Sequence, residues 1–99
     1  MAIAKLSSNE AQLALKGCHS DWQLTADGQS LTRHFKIKPY AAALALANQM
    51  ARLSEEQDHH GDICFGWGYC TITMTTHDVK GLSVRDFRLA EAIDKLPLS

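Results

Sequence analysis

Three of the five histidines in this chain fall close together: the adjacent pair His59 and His60, then His77. Glu55 precedes the pair by four positions, Trp67 lies between the pair and His77, and Asp86 follows. Imidazole titrates near neutrality, so it can both give and take a proton at pH 7. A carboxylate bonded to one ring nitrogen fixes the tautomer and raises basicity at the other. The set therefore predicts general acid/base chemistry by His59, His60 and His77, with Glu55 orienting one ring and Asp86 holding His77. Zinc is the rival reading, because three histidines with carboxylates suit that ion. Against it, adjacent histidines project their rings in different directions, and the sequence has no HExxH or CxxC motif. It also lacks GxSxG, a P-loop and GxGxxG, so nucleophile-elbow, nucleotide and dinucleotide readings find no support.

The elements that must position these residues are legible in order. Ser7-Ser8-Asn9-Glu10 predicts a helix start with a capping box, running to about residue 16 with Gly17 as its stop. Residues 22–25 form a short strand, Ala26-Asp27-Gly28-Gln29 a turn, and residues 31–38 an alternating strand. Arg33 falls on the apolar side of that strand and dilutes it. Pro39 opens a long helix from residue 40 to about 57, with Ala43, Leu46, Met50 and Leu53 on one face. Glu55 sits near its end, and residues 58–62 form a polar loop. Ile63, Phe65 and Trp67 alternate in a third strand, Gly68-Tyr69 is the turn, and Cys70, Ile72 and Met74 alternate in a fourth. Ser83-Val84-Arg85-Asp86 starts a last helix that buries Phe87, Ala90, Ile93 and Leu96.

The order αββαββα predicts a single α+β domain over residues 1–99. Its four-stranded antiparallel sheet carries the helices on one face. A hairpin brings the two ends of its strands together, so the pair before the third strand should neighbour His77 after the fourth. The strand Cys70-Thr71-Ile72-Thr73-Met74 is alternating and free of proline and charge, which makes it the expected pairing edge of a homodimer or homotetramer.

Composition narrows the function. A formal net charge of −1 and a pI near 6.5 argue against a nucleic-acid partner or an anionic membrane surface. The longest apolar run, residues 41–47, is far short of the roughly 20 residues that span a bilayer. No basic-then-apolar start resembles a signal peptide. The odd set Cys18, Cys64 and Cys70 reads as reduced, mostly buried thiols in a cytoplasmic protein.

At the histidines the chain resembles the pterin-4a-carbinolamine dehydratase family. That family's pattern is an acid, three residues, His-His-Pro, an aromatic after five, a His after nine and an Asp after eight. Here Glu55, His59-His60-Gly61, Trp67, His77 and Asp86 keep every interval. Asp21-Trp22-Gln23-Leu24, Arg33-His34-Phe35-Lys36-Ile37, Thr76-His77-Asp78 and Gly81-Leu82-Ser83 resemble the family as well, so the likeness runs from about residue 22 to 93. Two positions depart: Gly61 stands where the family has Pro, and Ile63 where an aromatic is common.

The resemblance implies dehydration of 4a-hydroxytetrahydropterin to quinonoid dihydropterin, with no metal or redox cofactor. The substrate would be the carbinolamine left by an aromatic amino acid hydroxylase. His60 and His77 would flank the C4a hydroxyl, His59 would assist with the ring proton, and Glu55, Trp67 and Asp86 would bind the pterin or orient imidazoles. The alternative is a non-catalytic dimerisation or assembly cofactor on the same fold. If the backbone at Gly61 is near φ −65°, the family's proline should stabilise there by about 0.4–1 kcal/mol.

Overall fold

A computed structural model describes residues 3–97, so the first two and last two residues of the expected domain lie outside the described residues. The helices are α1 (Ser8–Lys16), α2 (Tyr40–Glu56) and α3 (Val84–Asp94). The strands are β1 (Gln23–Leu24), β2 (Leu31–Ile37), β3 (Asp62–Gly66) and β4 (Gly68–Met74). The architecture is α+β, in the order αββαββα, with one antiparallel sheet.

Each helix start follows from local chemistry. Ser7 Oγ accepts from the Glu10 N–H, and Glu10 Oε1 accepts from the Ser7 N–H at 2.8 Å. These bonds satisfy donors that the first helical turn leaves without partners. Ser83 and Asp86 repeat the device at α3. Gly17 ends α1, yet with φ −83° rather than a left-handed backbone.

The strand order is β1-β2-β4-β3, so β4 is interior, bonded to β2 on one side and β3 on the other. The expectation that residues 70–74 form the free edge is therefore wrong. Period-two alternation reports a buried face, and it cannot tell whether one or both strand sides are paired. The free edges are β1, two residues long, and β3. The β3–β4 turn also comes one residue earlier than expected. Gly66 pairs with Tyr69, leaving Trp67-Gly68 as the two-residue turn, and Gly68 takes φ 88°. Glycine reaches that left-handed region without steric cost.

One face of the sheet is dry. Leu31, Cys70 and Ile72 are fully buried, together with Leu89 and Ile93 of α3 and Met50 of α2. Burying each of the larger aliphatic side chains is worth about 1.5–3 kcal/mol. The face of α2 read from the sequence holds for Ala43, Leu46 and Met50, while Leu53 is half-buried. The opposite sheet face is polar: Thr32 bonds Thr73 at 2.9 Å and His34 bonds Thr71 at 2.8 Å.

Arg33 does not dilute the buried face; it anchors it. Its guanidinium lies over the Phe35 ring, 4.2 Å from the centroid, and Nη1 donates to Asp94 Oδ1 at 2.8 Å. Asp94 also accepts from Trp22 Nε1 at 2.7 Å and from the His19 N–H at 2.9 Å. One carboxyl thus joins the end of α3 to β2 and to the chain after α1. The thiols differ from expectation too: Cys70 is buried and Cys18 half-buried, but Cys64 is exposed on the polar face. Burial pushes Cys18 and Cys70 up to about 11.

Removing one member of a buried ion pair leaves the other charge unpaired. Asp94→Ala should therefore destabilise by about 3–5 kcal/mol. Asp94→Asn, which keeps one acceptor, should cost less. Urea unfolding of both variants checks the order.

Candidate active site

The site is built from the end of α2, the exit of β4 and the start of α3. α2 ends in a left-handed stop: the Asp58 N–H bonds Glu55 O at 3.2 Å and the His59 N–H bonds Ser54 O at 3.0 Å. Asp58 holds φ 51°, a place usually taken by glycine and tolerated by a short polar side chain. The turn sends His59 inward, where it is 7% exposed. His59 Nε2 lies 2.6 Å from Asp86 Oδ1. With the carboxyl accepting, Nε2 carries the proton and Nδ1 is left for a ligand.

Asp86 is completely buried and fully used. Its Oδ2 accepts from the Thr76 hydroxyl at 2.8 Å and from the Ser83 N–H at 3.0 Å. Thr76 and Ser83 hydroxyls are 2.6 Å apart, and with Thr76 donating to Asp86 the Ser83 hydroxyl donates to Thr76. Asp86 therefore holds His59, not His77 as expected. The capping-box position that the sequence revealed points its carboxyl at the α2 loop, while His77 lies on the outer side of the β4 exit, at the head of a short 3₁₀ turn, His77–Val79.

His60 points outward. Its Nε2 lies 2.5 Å from Glu55 Oε1, with both side chains more than half exposed. Glu55 thus meets an imidazole, that of His60. His77 is exposed, and no hydrogen bond to its ring is found among the described residues. His59, His60 and His77 line one open hollow of about 200 Å³ with Asp58, Thr75, Thr76, Asp78 and Arg85. The hairpin thus brings the pair and His77 to one wall, as its topology predicts.

Trp67 is not there. It sits at the tip of the β3–β4 turn, 64% exposed, at the far end of β3 from the histidines. Five strand residues at about 3.3 Å each set that separation near 17 Å. Five lining residues fall outside the sequence candidates: Asp58, Thr75, Thr76, Asp78 and Arg85. In the sequence Arg85 signals only a helix start, and Asp58 only a polar loop. Arg85, Asp58 and His59 also line an adjoining hollow of about 440 Å³, with Glu56, Gln57 and Arg88. Among the described residues no three His, Cys, Asp or Glu side chains converge as a metal ion requires.

The family model described as pterin 4 alpha carbinolamine dehydratase matches residues 4–96. The chain belongs to this family. A relative from Paracoccus denitrificans, named "Putative pterin-4-alpha-carbinolamine dehydratase", is 40% identical over 89 residues, covering 90% of this chain and 82% of its own. A relative of the same name from Nitrosomonas eutropha is 37% identical over 97 residues, or 98% and 84% of the two chains. One from Hydrogenovibrio crunogenus is 40% identical, and the match spans 76% of this chain and 66% of its own length.

Two solved structures are similar. A transcriptional coactivator/pterin dehydratase from Brucella melitensis superposes with a TM-score of 0.84 at 27% identity, covering 91% and 95% of the chains. A pterin dehydratase-like protein identified as a RuBisCO assembly factor in the alpha-carboxysome gives 0.64 at 28% identity, covering 77% and 88%.

Two variants test this dehydratase-family site. Asp86→Ala strips an acceptor from three buried donors, each worth about 1–3 kcal/mol when left unsatisfied, and should unfold the chain at markedly lower urea. At Gly61 the backbone is not left-handed, but a Cβ would lie 3.0 Å from Ile72 Cδ1 and Cγ1. Ile72 is fully buried, so the crowding opposes the gain expected from proline. Gly61→Pro should lower the melting temperature, and Ile72→Val, which removes Cδ1, should recover part of the loss.

Proposed function

We propose that this chain dehydrates 4a-hydroxytetrahydropterin to quinonoid dihydropterin by histidine acid/base catalysis, serving tetrahydropterin recycling beside an aromatic amino acid hydroxylase. The observation that carries the reading is the convergence of His59, His60 and His77 on one hollow. The C4a hydroxyl is a poor leaving group and must be protonated as it departs. The adjacent ring nitrogen supplies the electron pair, and the resulting cation then loses a ring proton. His60 and His77 flank the hydroxyl as acid and base. His59, fixed by Asp86, takes the ring proton through Nδ1, and Glu55 orients His60. No step calls for a metal or a redox cofactor. The working form is a homodimer or homotetramer in the cytoplasm.

A second reading is an assembly or dimerisation role on the same fold, favoured by the likeness to the RuBisCO assembly factor. The enzyme reading predicts a rate; the scaffold reading predicts none.

Purified protein should speed the loss of freshly made 4a-hydroxytetrahydropterin, and a chelator should leave the rate unchanged. His60→Ala and His77→Ala should each lower kcat by about 10²-fold or more without loss of stability, since both rings are exposed. Their combination should cost less than the product of the two. His19→Ala and His34→Ala, away from the hollow, should keep the wild-type rate. Stopped-flow ultraviolet assays check all five variants, and a chelator-abolished rate restored by zinc would overturn the acid/base reading.

A further inference from the structure

We propose that the hollow carrying Arg85 and Arg88 receives the C6 substituent of the pterin, and that the substituent it selects ends in an oxyanion, a carboxylate or a phosphate. This names the substrate class for the dehydratase reading above and rests on that reading.

The histidine hollow is too small to hold a substituted pterin by itself. Small-molecule sites enclose roughly 300–1,000 Å³. The histidine hollow has about 200 Å³. Its neighbour has about 440 Å³ and shares Asp58, His59 and Arg85 with it. In the pterin ring C6 is joined to C4a through the single nitrogen N5, so its substituent starts close to the reacting centre. With C4a at the histidines, a substituent that leaves along the shared wall enters the larger space.

What the larger space offers is unpaired positive charge. Arg85 and Arg88 are three positions apart on α3, which puts them on one helix face. Among the described residues neither guanidinium makes an ion pair or a hydrogen bond. Arg85 is half-buried, so it has shed part of its water and gained no protein partner. A polar group in that state costs free energy until a partner arrives. Helix stability gives no reason for it, because Arg85 lies in the first turn of α3, where the backbone dipole favours negative charge. The neighbouring Asp86 carboxyl does not compensate it, being taken up by His59, Thr76 and Ser83.

Two acids, Glu56 and Asp58, line the same space from the end of α2 and the loop after it. Both are exposed and keep their water, and neither pairs with an arginine. The charge short of both water and a partner is that of Arg85, so the ligand group favoured there is an anion. A guanidinium grips a carboxylate or a phosphate through two parallel N–H bonds. Arg88 adds a second fork on the same face.

The experiment is a fluorescence titration of the full-length chain with three pterin probes: neutral 6-hydroxymethylpterin, its phosphate ester, and pterin-6-carboxylate. Wild type should bind at least one anionic probe about tenfold or more tighter than the neutral one, the gain from charge-assisted hydrogen bonds. A gain for the phosphate alone or the carboxylate alone assigns that oxyanion, and a gain for both assigns the charge they share. Arg85→Gln and Arg88→Gln should each bring the ratio towards one. Arg52→Gln removes the same charge from α2 outside both hollows and should leave the ratio unchanged. Glu56→Gln removes a like charge and should tighten anion binding. A wild-type ratio near one, a ratio that survives both arginine changes, one lost equally in Arg52→Gln, or anion binding weakened by Glu56→Gln overturns the proposal.

Turnover separates this inference from the reading beneath it. Equal kcat/KM for 4a-hydroxytetrahydropterins with neutral and anionic tails, alongside a binding ratio near one, overturns the selection of an oxyanion while the dehydratase reading stands. A wild type inert on every tail that still prefers the anionic probe overturns the dehydratase reading and leaves the oxyanion site in place. A wild type that neither binds a probe nor turns over a substrate overturns both.

Discussion

The buried carboxyl of Asp86 is the constraint on which the site depends. It accepts from the His59 ring, the Thr76 hydroxyl and the Ser83 backbone N–H. Those donors come from the loop after α2, the exit of β4 and the start of α3. A carboxyl with no exposure is tolerable only if its lone pairs are used, because an unsatisfied buried polar group costs several times what a made hydrogen bond returns. The three segments must therefore arrive together. Once they do, the tautomer and aim of His59 follow, and so does the shape of the hollow.

The rest of the fold serves to deliver those segments. The β3–β4 turn, made possible by Gly68 at φ 88°, sets the residues before β3 beside those after β4. Asp58 in a left-handed backbone stops α2 where the histidine pair begins. At the opposite end of α3, Asp94 gathers Arg33, Trp22 and the His19 N–H. α3 is thus pinned at both ends by a carboxyl, one near each terminus, with Leu89, Ala90 and Ile93 buried between them. A helix held in this way keeps Arg85 and the Asp86 network in fixed relation to β4.

Much of this is legible in the sequence alone. Capping boxes, strand alternation and the helical apolar face are local patterns, and each element formed within a residue or two of its expected bounds. The neighbourhood of His59, His60 and His77 followed from hairpin topology alone. What was not legible is what local pattern does not encode. Alternation in Cys70-Thr71-Ile72-Thr73-Met74 fits an edge or a central strand equally, and the choice was made by β2, from the far side of α2 in sequence. Arg33 resembled a flaw in a buried row because its partner, Asp94, is distant in the chain. Asp86 was linked to His77 by sequence proximity, whereas the cap geometry turns its carboxyl toward His59.

The network also changes which residues speak for catalysis. His59 and Asp86 serve stability whatever else His59 does through Nδ1: each is buried, each satisfies the other, and either would be retained by a scaffold for stability alone. Their presence does not separate an enzyme from an assembly factor on this fold. Glu55, His60 and His77 are different. All three are exposed, His60 pairs only with Glu55, and an exposed ion pair of this kind is worth about 0–1 kcal/mol. The fold gains almost nothing from them. Two exposed imidazoles opposite a third that is rigidly held form an arrangement for which proton transfer supplies a reason and stability does not. The residues that favour an enzyme are therefore those that the fold itself could spare.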